Sequence, residues 1–156
     1  NAQRMVMDYV RDFYNPAIAH GQALWGNDFS KAKELADWKH RVRECWPHVH
    51  AQRIDEPSDT MFRDETFEVK VAVDLAGLSA SDITVDCLVG TLDWDGQFER
   101  HSCFQLGTDE QQHDGKTVYS LSVTLADSGK QCYKLRVYPY HTSLGQRFET
   151  GAMLWL

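Results

Sequence analysis

Three groups of residues in this chain have the types and spacing that chemistry asks for. Asp93-Trp94-Asp95-Gly96 sets two carboxylates close together, as a hard cation prefers. A twelve-residue calcium loop needs Gly at its sixth position and a bidentate Glu at its twelfth; here Gly96 is fourth and Phe104 is twelfth. The four residues therefore read as an acidic β-turn in which Gly96 takes a positive φ. His48 and His50, in P-H-V-H, fall on one side of an extended segment, and His-x-His can ligate zinc. Only His40 is nearby and no third ligand is identifiable, so solvated or packed imidazoles are the favoured reading. His101 and Cys103 are near neighbours on a strand-like run but lack the third group that orients a nucleophilic pair.

Five tryptophans, at 25, 38, 46, 94 and 155, raise a different chemistry, because flat aromatic rings stack on sugar faces. Trp38 and Trp46 sit in helical patterns and read as packing residues, while Trp94, in the acidic turn, is the best exposed candidate for a sugar contact. Lys70, Lys116, Lys130 and Lys134 stand in strand or turn contexts and match no cofactor motif. There is no Gly-rich phosphate loop and no Ser-His-Asp arrangement. The chain receives no catalytic, cofactor-binding or metal-binding residue on this reading.

The elements that must position these groups change character along the chain. Met5, Val6, Tyr9, Val10 and Phe13 make a one-sided stripe, so residues 2–24 read as an amphipathic helix, weakened at Asn15-Pro16. Gly21, Gly26 and Asn27 mark its end, and Asp28 suits the N-cap of a second helix that Trp46-Pro47 stops. The expected inner face of that helix is Phe29, Ala32, Leu35, Ala36, Val42 and the stem of Lys39, and the two helices form an antiparallel hairpin. Residues 51–65 read as a polar connector with room for one edge strand.

Beyond residue 65 the apolar period becomes two. Phe67, Val69, Val71, Val73 and Leu75 alternate with Glu68, Lys70, Ala72 and Asp74, which gives a strand with one wet face. Further strands are expected over 83–89, 98–106, 118–125 and 131–138, with a turn over 77–82, loop over 109–115 and a turn at Asp127-Ser128-Gly129. The fold class is α+β: a helical hairpin (1–50), a linker (51–65) and an antiparallel immunoglobulin-like β-sandwich (66–156).

At 156 residues the chain can bury a core without staples. Its net charge of −7 lies entirely in the second part: residues 1–56 carry eight residues of each sign, and residues 57–156 carry eight basic and fifteen acidic. Such a surface repels phosphate backbones and argues against nucleic-acid partners. Cys45, Cys87, Cys103 and Cys132 are scattered and read as buried, reduced thiols of a cytoplasmic protein. No apolar run reaches transmembrane length and no signal peptide is visible, so no membrane partner is expected. The first residue is Asn, which fits either processing or an excised domain.

Five stretches carry a family resemblance. R-M-V-M-D-Y-V-R-D-F-Y-N-P-A (Arg4 to Ala17), with Asp8 where Glu is usual, resembles the helix that closes the catalytic region of bacterial α-glucan phosphorylases. L-A-D-W-K-H-R-V-R-E-C-W-P (Leu35 to Pro47) resembles the helix that follows. V-D-L-A-G-L-S-A-S-D-I-T-V-D-C-L-V-G (Val73 to Gly90), with Ala80 where Pro is common, and T-L-D-W-D-G-Q-F (Thr91 to Phe98) come next in order. Tyr133 to Leu156 resembles the terminus of the longer bacterial type, a strand, a P-x-H turn and an apolar tail ending in Trp plus one residue.

The resemblance implies a non-catalytic carboxyl-terminal region of such an enzyme. The parent would cleave α-1,4-glucans with phosphate, releasing glucose 1-phosphate, with pyridoxal phosphate on a lysine upstream of Arg4. Implied partners are the catalytic lobes of the parent, docked on Met5, Val6, Tyr9, Val10 and Phe13, and α-glucan at Trp94. Left uncovered, the helix stripe would also favour self-association.

Overall fold

A computed structural model describes residues 2–56, 65–124 and 130–156 of the chain. Helical structure runs from Ala2 to His48: α1 (Ala2–Tyr9), a π-helical turn (Val10–Tyr14), α2 (Asn15–Cys45) and a 3-10 turn (Trp46–His48). The π turn lies where proline demands it. Pro16 has no N–H for the Asp12 carbonyl, and the Asn15 N–H bonds to Val10 O, one residue further back than in an α-helix.

The expected hairpin is corrected in its details. The helix does not stop at Gly26-Asn27, and Asp28 is not an extended N-cap; Asp28 and Phe29 both adopt left-handed backbone, φ 54° and 61°, inside the span of α2. This two-residue step bends the helix. His20 reaches Ser143 and packs on Gly145, while Lys39 pairs with Glu149, whose other carboxylate oxygen accepts from the Gly145 N–H. A straight helix would hold residues 20 and 39 about 28 Å apart. Neighbouring groups of one short segment are reached from both because the chain bends between them. The inner face also differs: Leu35, Trp38 and Val42 are buried, whereas Phe29 and Ala36 are exposed.

Eight strands follow: β1 (His50–Arg53), β2 (Thr66–Asp74), β3 (Ile83–Leu92), β4 (Phe98–Gln105), β5 (Gly107–His113), β6 (Lys116–Thr124), β7 (Cys132–Pro139) and β8 (Leu154–Trp155). They make two antiparallel four-stranded sheets, β1-β2-β6-β5 and β4-β3-β7-β8, so the α+β class holds. Strand β1 occupies the start of the expected connector and is the edge strand that reading allowed. Residues 109–115, expected as loop, are corrected: most of them belong to β5, which pairs with β6 through a register shift between Thr108 and Gln112. Strand β3, expected over 83–89, runs past Gly90 to a bulge at Thr91/Leu92. The turn expected at Asp127-Ser128-Gly129 lies outside the described residues.

Both sheets feed one core. Val69, Val71 and Val73 from β2, Tyr119 from β6, Val85 and Cys87 from β3, and Leu135 and Val137 from β7 join Leu35, Trp38 and Val42 of α2. Each such side chain contributes about 1.5–3 kcal/mol by leaving water. Ala72, expected on the wet face of β2, is fully buried, because its register partners Gln52 and Val118 flank and cover its small methyl.

The outer face of β3 is also closed. Asp86 is fully buried there, and its Oδ2 accepts from Arg136 Nε (3.0 Å), Arg136 Nη2 (2.7 Å) and the Tyr138 hydroxyl (3.1 Å), with Arg147 Nη1 at 3.6 Å. The segment after β7 supplies Arg147 and Phe148, whose ring meets Tyr138 edge-on at 5.0 Å. That segment, residues 140–153, is hereafter the strap, and β8 closes it against β7.

Candidate functional site

Three surfaces present themselves. The first is the amino-terminal arm formed by α1 and the π turn, which buries none of its residues. The five stripe residues Met5, Val6, Tyr9, Val10 and Phe13 lie between 41% and 64% exposed. The rings of Tyr9 and Phe13 are 5.5 Å apart. Tyr14 and Ile18 carry the exposed apolar surface beyond the stripe that periodicity marks out. One flank is charged: Asp8 lies 3.1 Å from Arg11 and 4.0 Å from Arg4. A shallow hollow of about 520 Å³ runs along Arg4, Met5, Asp8, Tyr9 and Phe13. Chemically this is an apolar strip with an ionic rim, the composition of a protein contact.

The second surface is the acidic turn. Asp93 Oδ1 accepts from the N–H groups of Asp95 (2.9 Å) and Gln97 (2.7 Å), and Gly96 has φ 76°, so the β-turn reading of these residues describes what is there. The turn lifts Trp94 to 93% exposure. Trp25 and Trp155 are also exposed, whereas Trp38 is in the core and Trp46 packs against it.

The third surface was not found from sequence. A groove of about 830 Å³ opens between α2 and the start of the strap, lined by Lys33, Glu34, Asp37, Arg41, Tyr140 and Thr142 among others. Its floor is Trp38, whose indole N–H donates to Asp82 Oδ1 at 2.8 Å. Asp82 Oδ2 in turn accepts from the Ser79 N–H (2.8 Å) and hydroxyl (2.7 Å), the capping box of a 3-10 turn at Ala80–Asp82. Burial pushes Asp82 up, but the bonds from Ser79 and Trp38, with Arg41 nearby, win and hold its carboxyl below the usual 3.8. The His141 ring tilts on Trp38 at 5.2 Å. Forty-four residues separate Trp38 from Asp82, so no local pattern announces the pair.

The remaining sequence candidates are not assembled into sites. His48 ends the 3-10 turn and His50 opens β1, and among the described residues no cluster of three or more His, Cys, Asp or Glu could hold a metal. Of the cysteines, Cys87 is buried as expected, Cys45 and Cys132 are partly covered, and Cys103 is exposed, which corrects the reading of buried thiols there. Burial pushes the Cys87 thiol up to about 12. Partial desolvation and the charge of Asp86 also raise Cys103.

Of the four lysines, Lys70, Lys116 and Lys134 stand on β2, β6 and β7. Lys70 and Lys130 are exposed, Lys116 reaches Gln52, and Lys134 sits over the Phe98 ring at 5.5 Å. No helix among the described residues is long and apolar enough to cross a membrane.

Comparison with known proteins gives a consistent picture. The family described as "Glycogen phosphorylase C-terminal domain" matches residues 46–156. The chain is 30% identical over 152 residues to a glycogen phosphorylase of Mycobacterium tuberculosis, covering 96% of this chain and 18% of that protein. It is 30% identical over 158 residues to a maltodextrin phosphorylase of Thermococcus litoralis, covering 99% of this chain and again 18% of the relative. The chain thus spans about a fifth of the length of the relatives it matches. No solved structure matches.

Proposed function

Because this chain belongs to the glycogen phosphorylase C-terminal domain family, we propose that it is the non-catalytic carboxyl-terminal module of an α-glucan phosphorylase. The parent releases glucose 1-phosphate from α-1,4-glucans with phosphate, in the cytoplasm, using pyridoxal phosphate held elsewhere in its chain. In this reading the two sheets form an immunoglobulin-like sandwich that carries the arm. The arm docks on the catalytic lobes and steadies them.

The observation that carries the docking role is the arm itself. Its 8 residues of α-helix and 5 of π turn carry an apolar stripe and bury no side chain, so they gain little by folding unless another surface covers them. The relatives supply the size of that partner: more than four-fifths of each lies outside the match. The catalytic lobes of the same chain are therefore the occupant proposed.

The test uses the longer native protein. Tyr9→Ser with Phe13→Ser should lower the melting temperature of its catalytic part and reduce phosphorolysis of glycogen, while leaving the sheets intact by circular dichroism. Unchanged stability and activity would remove the docking role. Phosphorolysis by the 156-residue chain alone would overturn the non-catalytic reading.

A second reading is a carbohydrate-binding module, favoured by the exposure of Trp94 on a hydrogen-bonded turn. Trp94→Ala should then weaken retention on immobilised glycogen, and unchanged retention counts against Trp94 as the contact.

A further inference from the structure

We propose that His141, the last residue of the P-x-H turn, makes the strap's hold on α2 sensitive to pH: closed while its imidazole is neutral, open once it is protonated. The proposal concerns attachments within this chain and stands apart from what the arm docks on.

The latch is one residue held from both ends by histidines. His141 Nδ1 accepts from the Ser143 N–H at 3.1 Å, and His20 Nε2 donates to the Ser143 carbonyl at 2.8 Å. An imidazole accepts only through a nitrogen that carries no proton. With the turn closed, His141 is therefore neutral and carries its hydrogen on Nε2. His20 needs only an N–H at Nε2, which its charged form also supplies. The two rings thus answer acid differently. A proton on His141 Nδ1 turns the acceptor into a donor aimed at the Ser143 N–H, and the ring has no acceptor left. Protonation of His20 leaves its bond in place.

The proton has access, since His141 is half-buried and lines the groove beside α2. Lys33, Glu34, Asp37 and Arg41 face that groove from α2, Asp82 from the 3-10 turn at Ala80–Asp82, and Tyr140 from the strap. Asp82 is engaged by Trp38 and Ser79, with Arg41 at 3.9 Å. Lys39 and Glu149 stand on the His20 side. These groups set the pH at which the proton arrives, and the acceptor is lost at whatever pH that is.

The closed turn binds one proton fewer at His141 than the open one. Its hold is therefore full above the range in which histidines change charge, about pH 5 to 8, and is lost as pH falls through it. Glu149 behaves otherwise. Its bond from Lys39, with the Gly145 N–H, keeps its carboxyl below the usual 4.5, so its clamp outlasts the latch in acid. Acid should loosen residues 141–144 first, and with them residues 15–24, which His20 fastens to Ser143.

The experiment is hydrogen exchange of the chain at about pH 7.5 and about pH 5.5, expressed as protection factors so that the intrinsic pH dependence of exchange drops out. Loss of one hydrogen bond should lower protection about fivefold in residues 141–144 and 15–24 at the acid value, with 145–151 and strands β2, β3 and β7 unchanged. His141→Asn puts an amide oxygen where Nδ1 stood and takes no charge, so it should keep protection and lose the acid response. His141→Ala should show the lowered protection at both pH values. His20→Gln, which keeps a donor in place of Nε2, should respond to acid as the unaltered chain does.

An acid response that survives in His141→Asn overturns the proposal. So does its disappearance in His20→Gln, which makes His20 the sensor, and so does full protection in His141→Ala. Equal protection of the unaltered chain at both pH values overturns it as well. Loss spread evenly over the strands does the same, because it reports general acid destabilisation rather than a latch.

Discussion

Two buried carboxylates organise this molecule residue by residue. Asp82 satisfies the indole of Trp38 and caps the 3-10 turn, so Asp82→Ala leaves a buried donor and an uncapped turn together. The expected loss is about 2–4 kcal/mol, measured by urea unfolding. Because the Asp82 carboxyl is held below its usual value, its contribution is full above about pH 4 and is lost as pH falls through the lowered folded value. The same variant should therefore flatten the acid limb of the stability profile. Asp86 is the second case. It is wholly buried and neutralised by Arg136, so Asp86→Ala strands a guanidinium that is itself mostly covered. Breaking such a pair costs about 3–5 kcal/mol. The Tyr138 phenol, raised by burial and by the Asp86 charge, loses its acceptor in the same variant. Cys87 lies next in sequence but points into the core, and burial pushes its thiol to about 12. Iodoacetamide at pH 8 should spare Cys87 in the folded chain and label it only in denaturant.

Elements show which signals were legible in the chain and which were not. Strand β2 could be read directly, since Phe67, Val69, Val71 and Val73 alternate and all four are buried. The helical region was legible too. Strand β5 could not be read, because G-T-D-E-Q-Q-H has no apolar period; it exists by pairing with β6 at a sheet edge. Strand β8 is two residues long and owes its place to Arg136 and Val137 opposite. The groove was illegible for the same reason at longer range, for it joins residues of α2 to residues past β7. The helix bend is the most instructive case. Gly26 and Asn27 looked like the stop, yet the backbone turns at Asp28 and Phe29. A left-handed Phe is costly, by about 1–2 kcal/mol, and Phe29 is more than half exposed, so its ring recovers little. Phe29→Gly should relieve that strain. After the entropy cost of glycine the net gain is up to about 1 kcal/mol, a rise of a few degrees in melting temperature. A lower melting temperature would mean that the ring has a packing role in the bend.

At the scale of the whole molecule, the strap ties α2 to the sheets. It contacts α2 on both sides of the bend. His20 Nε2 lies 2.8 Å from Ser143 O before it, and Lys39 pairs with Glu149 after it. Glu149 also accepts from the Gly145 N–H, so one carboxylate fastens the strap to itself and to the helix. Its bond from Lys39, helped by the Gly145 N–H, holds the Glu149 carboxyl below the usual 4.5 against a smaller desolvation cost. Stability from this clamp is therefore present above about pH 4.5 and falls away as pH drops through the lowered value. Both partners keep about a third of their side-chain surface in water, so the global effect of Glu149→Gln is small, at most about 1 kcal/mol. The local effect should be larger, since this pair lies outside the core while residues 15–24 of α2 have only His20 and Leu24 to fasten them among the contacts described. Hydrogen exchange distinguishes these. Glu149→Gln should speed exchange in residues 15–24 and 141–151 and leave β2, β3 and β7 protected. Uniform loss of protection across the strands would make the strap part of the core's cooperative unit. No change in residues 15–24 would shift their anchorage to Leu24, the other residue of that stretch packed on the core.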